Sequence, residues 1–292
     1  MISILIPTYN YNVFPLVASL HKQAEKLALT YEINVYDDCS PNPVTANEAI
    51  NDLTNASYSI LKKNIGRSAI RNLLAKNARF DNLLFLDADT KVIRNDFLEK
   101  YIASITIDTE IIYGGIIYQT DPPPKEEILR WQYGKKREAL SVSERQKQPH
   151  LRFLTLNFLI KKVIFSRLSF NEEIPNLRHE DTLFALEAKA KNVGVIHIDN
   201  PVVHLGLENS KIFLRKSIES VESLHNFVNQ GLIKPEETAL SKKAESLRKY
   251  HLKPAAAKFY KIFRRTMEKN LLSSRPSLVI FDLYRLAYYL SL

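Results

Sequence analysis

In residues 1–90, short apolar runs alternate with segments in which apolar residues recur every three or four positions. The apolar runs have the length and composition of buried strands, at 2–6, 32–40, 58–61 and 83–86. The periodic segments predict helices over 16–29, 44–55 and 69–76. Pro7 is expected to end the first strand. This alternation with short links predicts an α/β fold with a mostly parallel, doubly wound sheet flanked by helices.

Polar residues follow the predicted strands of this half. Thr8 follows the first strand, Asp37 and Asp38 lie in the second, and Asp87-Ala88-Asp89 follows the fourth. Because parallel strands share a direction, these residues should converge at the sheet edge where open α/β folds bind ligands. Two carboxylates separated by a small residue can bind one divalent cation and substrate oxygens. An ordinary polar strand end is the alternative interpretation of Asp-x-Asp alone.

Glycine-rich nucleotide motifs are absent from the sequence. No G-x-G-x-x-G follows the first strand, and the chain contains no Walker sequence. A nucleotide site at this sheet edge would therefore depend on carboxylates.

The apolar pattern continues beyond residue 90. Strands are predicted at 111–118, 153–160, 193–198 and 201–206, and a helix at 183–190. Gly114 and Gly115 interrupt the first of these strands, which indicates a bulge or a close approach of the backbone to a ligand. The charged segment 125–150 carries Trp131 and Tyr133, and either a lid facing an acceptor or a solvated surface helix explains it.

The last part of the chain has the periodicity of amphipathic helices. Apolar residues recur at helical spacing in 214–228 and in 255–272, where basic residues occupy the other positions. Residues 278–292 are almost wholly apolar but too few to span a bilayer. Three interpretations remain open for this segment: a buried terminal helix, pairing between two subunits, or a helix in the membrane interface.

Composition limits the compartment. Cys39 is the only cysteine, which excludes an internal disulfide framework and a multi-cysteine metal site and fits a reducing compartment. The N-terminal run lacks the basic lead and cleavage site of a signal peptide. We therefore expect a cytoplasmic protein, with peripheral contact on the inner face of the cell membrane as a further hypothesis.

The net charge of +9 is unevenly distributed. Residues 1–210 contain 25 basic and 25 acidic side chains, whereas residues 211–292 contain 16 and 7. A basic extension indicates that residues 255–292 contact an anionic surface such as a membrane. The alternative is that these residues form a solvated basic face. No nucleic-acid-binding motif accompanies the charge, so nucleic acid is not expected as a partner.

Four linked motifs resemble family 2 glycosyltransferases of the GT-A fold. They are Ile4-Leu5-Ile6-Pro7-Thr8-Tyr9-Asn10, Asp37-Asp38-Cys39-Ser40, Asn64-Ile65-Gly66-Arg67-Ser68 with Arg71-Asn72, and Asp87-Ala88-Asp89. Their order and spacing match over residues 1–90, although Cys39 replaces the glycine usual in that turn. The resemblance implies an inverting, metal-dependent hexosyl- or N-acetylhexosaminyltransferase. Its donor would be a nucleoside diphosphate sugar in the UDP form. Its acceptor would be a hydroxyl of a glycan or glycolipid in bacterial cell-envelope or exopolysaccharide synthesis.

The resemblance also assigns roles to individual residues. In His179-Glu180-Asp181, Asp181 is expected to be the catalytic base and Glu180 to support it. His204, in a His-x-Gly sequence, is expected to join Asp89 and Asp87 at a divalent metal, with Mn²⁺ preferred over Mg²⁺. Asp37 or Asp38 would accept a hydrogen bond from uracil, and Asp87 would bond the ribose. The full set expected to bind the donor nucleotide is Pro7, Thr8, Tyr9, Asp37, Asp38, Asn64, Gly66, Arg67, Arg71, Asp87 and Ala88.

These assignments predict a catalytic domain at 1–210, with a nucleotide-binding half at 1–90 and an acceptor half at 91–210. A basic, mainly helical extension would follow at 211–292. Two other classes of function remain as alternatives. One is a non-catalytic membrane- or glycan-binding protein on the same fold. The other is a glycoside hydrolase, although Asp87 and Asp89 lie too close in sequence to straddle a sugar alone.

Overall fold

A computed structural model of the chain describes residues 1–173, 179–250 and 253–292. Its strands, in chain order, are β1 (Ile2–Thr8), β2 (Tyr31–Asp37), β3 (Ala56–Ile60), β4 (Asn82–Leu86), β5 (Thr90–Lys91), β6 (Ile111–Tyr113), β7 (Ile116–Ile117), β8 (Asn157–Lys161), β9 (Val195–His197) and β10 (Val202–His204). Its α-helices are α1 (Phe14–Lys26), α2 (Gly66–Asn77), α3 (Phe97–Ala103), α4 (Ile128–Tyr133), α5 (Val142–Gln146), α6 (Lys162–Leu168), α7 (Glu180–Ala190), α8 (Ser210–Asn229), α9 (Ala239–Lys249), α10 (Lys253–Leu271) and α11 (Leu278–Ser291).

Seven strands form the central sheet, in the order β3-β2-β1-β4-β8-β6-β9. Strand β8 runs antiparallel to its neighbours β4 and β6, and the other pairs are parallel. A small second sheet has the order β5-β10-β7. The predicted α/β class, with a mostly parallel sheet flanked by helices, is therefore confirmed.

Strand β1 continues through Pro7, so the expectation that Pro7 ends it was wrong. Pro7 is paired with Tyr36 and Thr8 with Asp37 in the parallel register with β2. Pairing between β1 and β4 stops at Leu5. Proline lacks an N–H to donate, and it is tolerated here because one side of the strand has no ladder partner beyond Leu5.

The predicted strand 111–118 divides at its two glycines into β6 and β7, which belong to different sheets. Gly115 has φ +99°, a conformation that L-residues rarely adopt. A Cβ at Gly114 would lie 2.5 Å from Tyr101 Oη and 2.6 Å from Asn157 Nδ2. The close approach that the glycines permit is therefore to protein side chains, and it lets the chain turn from one sheet into the other.

Apolar side chains bury both faces of the central sheet. One cluster joins Ile4 and Ile33 of the sheet to Leu16 and Leu20 of α1. The other joins Leu5, Phe85 and Phe158 to residues of α2, α6 and α7, among them Ile70, Phe165 and Phe184. Burial on both faces explains why these strands are continuous apolar runs rather than alternating ones.

The chain forms two compact units. The first contains the described residues of Met1–Gln119, Glu138–Asn176 and Glu180–Gly206, and the second those of Thr120–Arg137, Leu177–His179 and Leu207–Leu292. The second unit thus includes α4 as well as the C-terminal helices. The predicted functional boundary at residue 210 stays a prediction.

In the second unit, α8, α10 and α11 share an apolar cluster that includes Leu214, Met267, Leu271, Phe281 and Tyr284. The apolar segment 278–292 thus forms helix α11, and one face of this helix is buried in the cluster. Within the described part of the chain, no helix combines the length and apolar character required to cross a membrane.

Candidate active site

Arg71 and Asp87 form an ion pair at the carboxyl end of β4. Arg71 Nη2 donates to Asp87 Oδ1 over 2.6 Å. Helix α2 carries Arg71, whose side chain is buried and whose guanidinium lies 5.5 Å from the centre of the Phe170 ring. The helix predicted from the motif Asn64–Ser68 thus brings a buried cation to the strand end that carries Asp-x-Asp.

Arg71 also lies near the two acidic residues that begin α7. Burial alone would lower the pKa of Arg71, but the charges of Asp87, Asp181 and Glu180 outweigh it and raise that pKa. Glu180 Oε1 lies 3.5 Å from Arg67 Nη1, one helical turn before Arg71. Two arginines of α2 therefore hold carboxylates from β4 and α7 in one cluster.

Asp181 occupies the first turn of α7, where the helix dipole favours negative charge. The Thr155 hydroxyl donates to Asp181 Oδ1. Burial and the neighbouring Glu180 raise the pKa of Asp181 to about 6, although Arg71 and the Thr155 hydrogen bond act in the opposite direction. A carboxylate with this pKa is mostly ionised at neutral pH and is a stronger base than an ordinary aspartate, which suits general-base chemistry.

Asp89 and His204 meet across the small sheet. His204 of β10 is paired with Thr90 of β5, and the Leu205 N–H donates to the Asp89 carbonyl over 2.8 Å. This pairing leaves His204 Nε2 3.4 Å from Asp89 Oδ2. Burial raises the pKa of Asp89, but the hydrogen bond and charge of His204 outweigh burial, and the net pKa is lowered.

The donor atoms of Asp89 and His204 suit a divalent metal. Imidazole nitrogen beside carboxylate oxygen is a ligand combination that Mn²⁺ accepts. His204 Nδ1 is buried and has no hydrogen-bond partner. Among the residues that the structure describes, no group of three or more His, Cys, Asp or Glu side chains is placed to hold a metal ion. The pair fits a site in which substrate oxygens and water complete the coordination, as is common for cations bound with phosphates.

Gly206 makes room for the Asp89 carboxylate. A Cβ built at Gly206 would lie 2.1 Å from Asp89 Oδ2 and 3.1 Å from His204 Cε1. Any side chain at this position would therefore displace the Asp89 carboxylate. From the sequence, only the histidine of His-x-Gly is given a role. The steric role of Gly206 depends on a contact with a residue more than a hundred positions earlier in the chain.

The strand-end carboxylates of β2 accept hydrogen bonds from the protein. Asp37 accepts from Ser40 N–H over 2.7 Å and from Tyr58 Oη over 2.9 Å. Asp38 accepts from the N–H groups of Ile65 and Gly66 over 2.7 and 2.9 Å, at the start of α2. Each carboxylate oxygen keeps a second lone pair. The binding of the donor base by one of these two carboxylates stays a prediction.

The remaining residues predicted for the nucleotide lie around these strand ends. Thr8 is buried, and its Oγ1 has no hydrogen-bond partner. Asn64 Nδ2 donates to the Asp38 carbonyl over 2.9 Å, and Tyr9 is 50% exposed. Ala88 packs against the apolar cluster of the α1 face, next to Asp87 and Asp89.

Tyr11 is a neighbour of Asp89 that the sequence interpretation missed. Burial and then the charge of Asp89 raise the pKa of the Tyr11 hydroxyl. The chain carries Tyr9 and Tyr11 on either side of Asn10, which has φ 49°, in the segment after β1. The sequence Tyr-Asn-Tyr could have drawn attention to this position, but its nearness to Asp89 depends on the fold.

The fold and this arrangement of strand-end carboxylates define the class of GT-A glycosyltransferases. The family model of glycosyl transferase family 2 matches residues 3–174, more than half of the chain, and the chain belongs to this family. No curated protein matches the chain significantly.

Solved structures of other glycosyltransferases have a similar fold. S. aureus TarS residues 1–349 is 18% identical with a TM-score of 0.54, over 99% of this chain and 89% of that one. This chain spans 40% of a longer TarS chain, which matches 77% of it at 21% identity and a TM-score of 0.52. Mannosyl-3-phosphoglycerate synthase from Rubrobacter xylanophilus is 15% identical with a TM-score of 0.57, over 80% and 76% of the two chains. Mannosyltransferase PcManGT from Pyrobaculum calidifontis, in complex with GDP-Man and Mn²⁺, is 14% identical with a TM-score of 0.56, over 99% and 84%.

Proposed function

We propose that the chain is a metal-dependent, inverting glycosyltransferase that uses a UDP-sugar and a hydroxyl of a glycan or glycolipid. The observation that carries the proposal is the position of Arg71, which pairs with Asp87 and lies near Asp181 and Glu180. The candidate base and the strand-end carboxylates thus belong to one electrostatic cluster. The proposed catalytic domain is 1–210, with its nucleotide half at 1–90.

In the proposed reaction, Asp181 accepts the proton of the acceptor hydroxyl. The acceptor oxygen forms a bond to the anomeric carbon while the bond from that carbon to the diphosphate oxygen breaks on the opposite face, which inverts the configuration. The raised pKa of Asp181, about 6, supports this assignment because an ionised carboxylate of increased basicity removes the proton more readily. Glu180 supports the base by raising that pKa.

Asp89 and His204 are the residues proposed to hold the metal, with Asp87 nearer the ribose. A bound Mn²⁺ or Mg²⁺ would neutralise charge on the leaving diphosphate. The 3.4 Å separation of Asp89 Oδ2 and His204 Nε2 supports this assignment. Arg71 already neutralises Asp87, and this separates the roles of the two carboxylates in Asp-x-Asp.

The choice of a UDP-sugar depends on the end of β2. Asp37 or Asp38 would accept from the ring N–H of uracil, and the unpaired Thr8 Oγ1 would complete the base pocket. TarS residues 1–349 was solved with UDP and with UDP-GlcNAc, whereas PcManGT was solved with GDP-Man. The experiment that tests the proposal therefore includes both UDP- and GDP-sugars. A role in cell-envelope polysaccharide synthesis with a lipid-linked acceptor belongs to the same proposal.

A donor panel tests the proposal. The full chain is incubated with UDP-, GDP- and TDP-sugars and Mn²⁺, and release of the nucleoside diphosphate and thermal shift are recorded. We expect slow hydrolysis and stabilisation with a UDP-sugar, and neither with an oligosaccharide alone. A preference for another nucleotide would overturn the uracil role of Asp37 or Asp38. Cleavage of the oligosaccharide without a nucleotide would instead favour a glycoside hydrolase, and neither reaction would favour a non-catalytic binding protein.

A further inference from the structure

Helix α10 presents a basic face that the proposed reaction does not use. Lys258, Lys261, Arg265 and Lys269 are all exposed. At roughly 100° per residue, these four positions lie within about 80° of one another around the helix axis. We call them the basic stripe. Among the residues that the structure describes, none of the four forms an ion pair with a carboxylate.

The opposite face of α10 accounts for the fold of the helix and needs no outside partner. Met267 and Leu271 are buried in the cluster shared with α8 and α11. The one acidic residue of the helix, Glu268, accepts from Arg264 over 2.7 Å and from Tyr284 Oη over 2.8 Å. Glu268 is therefore already engaged by Arg264 and Tyr284, and α10 has no other acidic residue to neutralise the stripe.

An exposed apolar side chain flanks the basic stripe. Ile262 lies about 20° beyond the edge of the stripe and is 59% exposed. Residues 261–266 form an unbroken exposed run within the helix. Basic side chains beside an exposed apolar residue are typical of helices that lie in the headgroup region of an anionic bilayer.

We infer that the basic stripe and Ile262 of α10 bind the surface of an anionic lipid bilayer. Charge complementarity carries this inference, since four unpaired cations on one helix face match the negative potential of anionic headgroups. Ile262 would enter the boundary between headgroups and acyl chains. This contact would hold the chain peripherally, without a membrane-spanning segment, at the surface where a lipid-linked acceptor would be met.

Vesicle co-sedimentation of the full chain tests the inference without donor or acceptor. We expect binding to phosphatidylcholine vesicles containing about 30 mol% phosphatidylserine at about 50 mM NaCl, and release at about 500 mM NaCl. Pure phosphatidylcholine vesicles should bind little. Changing Lys258, Lys261, Arg265 and Lys269 to Gln should reduce the partition coefficient by about 100-fold or more, since each basic residue near such a surface contributes several-fold.

A matched variant controls for net charge. Lys22, Lys26, Lys76 and Lys147 are exposed in the first unit, and their change to Gln removes the same charge. This control should bind vesicles within about threefold of the unchanged chain. Circular dichroism of both variants checks the helical content, and Ile262→Ser, which leaves all four cations, should weaken binding less than the loss of the stripe.

Several outcomes would overturn the inference. They are no binding at low salt, equal loss in the stripe variant and the control, equal binding to neutral vesicles, and tighter binding to a duplex oligonucleotide than to anionic vesicles. None of them depends on the reaction, because donor hydrolysis is measured without vesicles. A failure of this inference and a failure of the proposed function are therefore distinguishable.

Discussion

Arg71 Nη2 lies 2.6 Å from Asp87 Oδ1, and the charges of Asp181 and Glu180 also act on this buried guanidinium. The first carboxylate of Asp-x-Asp is thereby tied to α2, while the second, Asp89, faces His204. The two carboxylates of the motif, separated by one residue, thus have different electrostatic partners. This division supports separate proposed roles, with Asp87 near the ribose and Asp89 at the metal.

Asp181→Asn should separate activity from stability. Loss of the base should reduce the transfer rate by about 10²–10⁴-fold, with donor binding unchanged. The pKa of Asp181, about 6, lies above its ordinary value of 3.8, so the folded chain binds more protons between these values and its stability falls as pH rises through that window. The neutral asparagine removes this cost. We expect the melting temperature at pH 7.5 to stay the same or rise.

Steady-state transfer rates and thermal denaturation measure these two effects. Asp108→Asn, at an exposed position, is the control and should change neither. Full activity of Asp181→Asn would show that another group removes the proton.

Glu180→Gln should move the pH dependence of the reaction. Transfer requires ionised Asp181, so kcat/KM should fall as pH decreases below about 6. The Glu180 carboxylate raises the pKa of Asp181, and its loss should therefore shift the acid limb to lower pH. Glu187→Gln is the matched control and should leave the limb in place. It removes a carboxylate of α7 that is paired with Lys191, the residue after the helix. An unmoved limb in Glu180→Gln would argue against Asp181 as the titrating base.

The ends of the strands could be predicted from the sequence because residues close together in the chain identify them. An apolar run followed by carboxylates identifies both the buried strand and the edge where it ends, as the run before Asp87 shows. Membership in the family and the α/β class followed from such runs and from the spacing of four motifs. The same local pattern misjudged Pro7, because tolerance of proline depends on where the pairing of a neighbouring strand stops.

Arg145 shows what the sequence could not predict. It lies in the charged segment 125–150, for which a lid or a solvated helix was expected, yet its side chain is buried. Its guanidinium lies 4.9 Å from the Tyr113 ring centre and donates to the Ile198 carbonyl over 3.0 Å. Burial of a cation depends on carbonyls and a ring supplied by distant strands, whereas composition alone favours exposure. Most of segment 125–150 is helical, but the choice between a lid and a solvated surface helix stays a prediction.

His204→Ala should affect the metal more than the nucleotide. Removal of the imidazole leaves Asp89 without its partner at 3.4 Å and should raise the Mn²⁺ concentration needed for half-maximal activity by about tenfold or more. UDP affinity in metal-free buffer should change little. His21→Ala, on α1, removes an imidazole that contacts Thr54 and serves as the control. An unchanged Mn²⁺ titration in His204→Ala would exclude the histidine as a metal ligand.

Gly206→Ala tests the same site through shape alone. The added Cβ would lie 2.1 Å from Asp89 Oδ2, so the carboxylate must rotate away from His204 or the backbone after β10 must move. Since no charge or donor atom is removed, we expect a weaker response to Mn²⁺ and a lower transfer rate, with UDP affinity in metal-free buffer retained. Gly194→Ala is the matched control, because its Cβ would lie 3.3 Å from the flexible Glu110 Oε2. Equal Mn²⁺ titrations for the two alanine variants would show that the position of the Asp89 carboxylate does not determine metal binding.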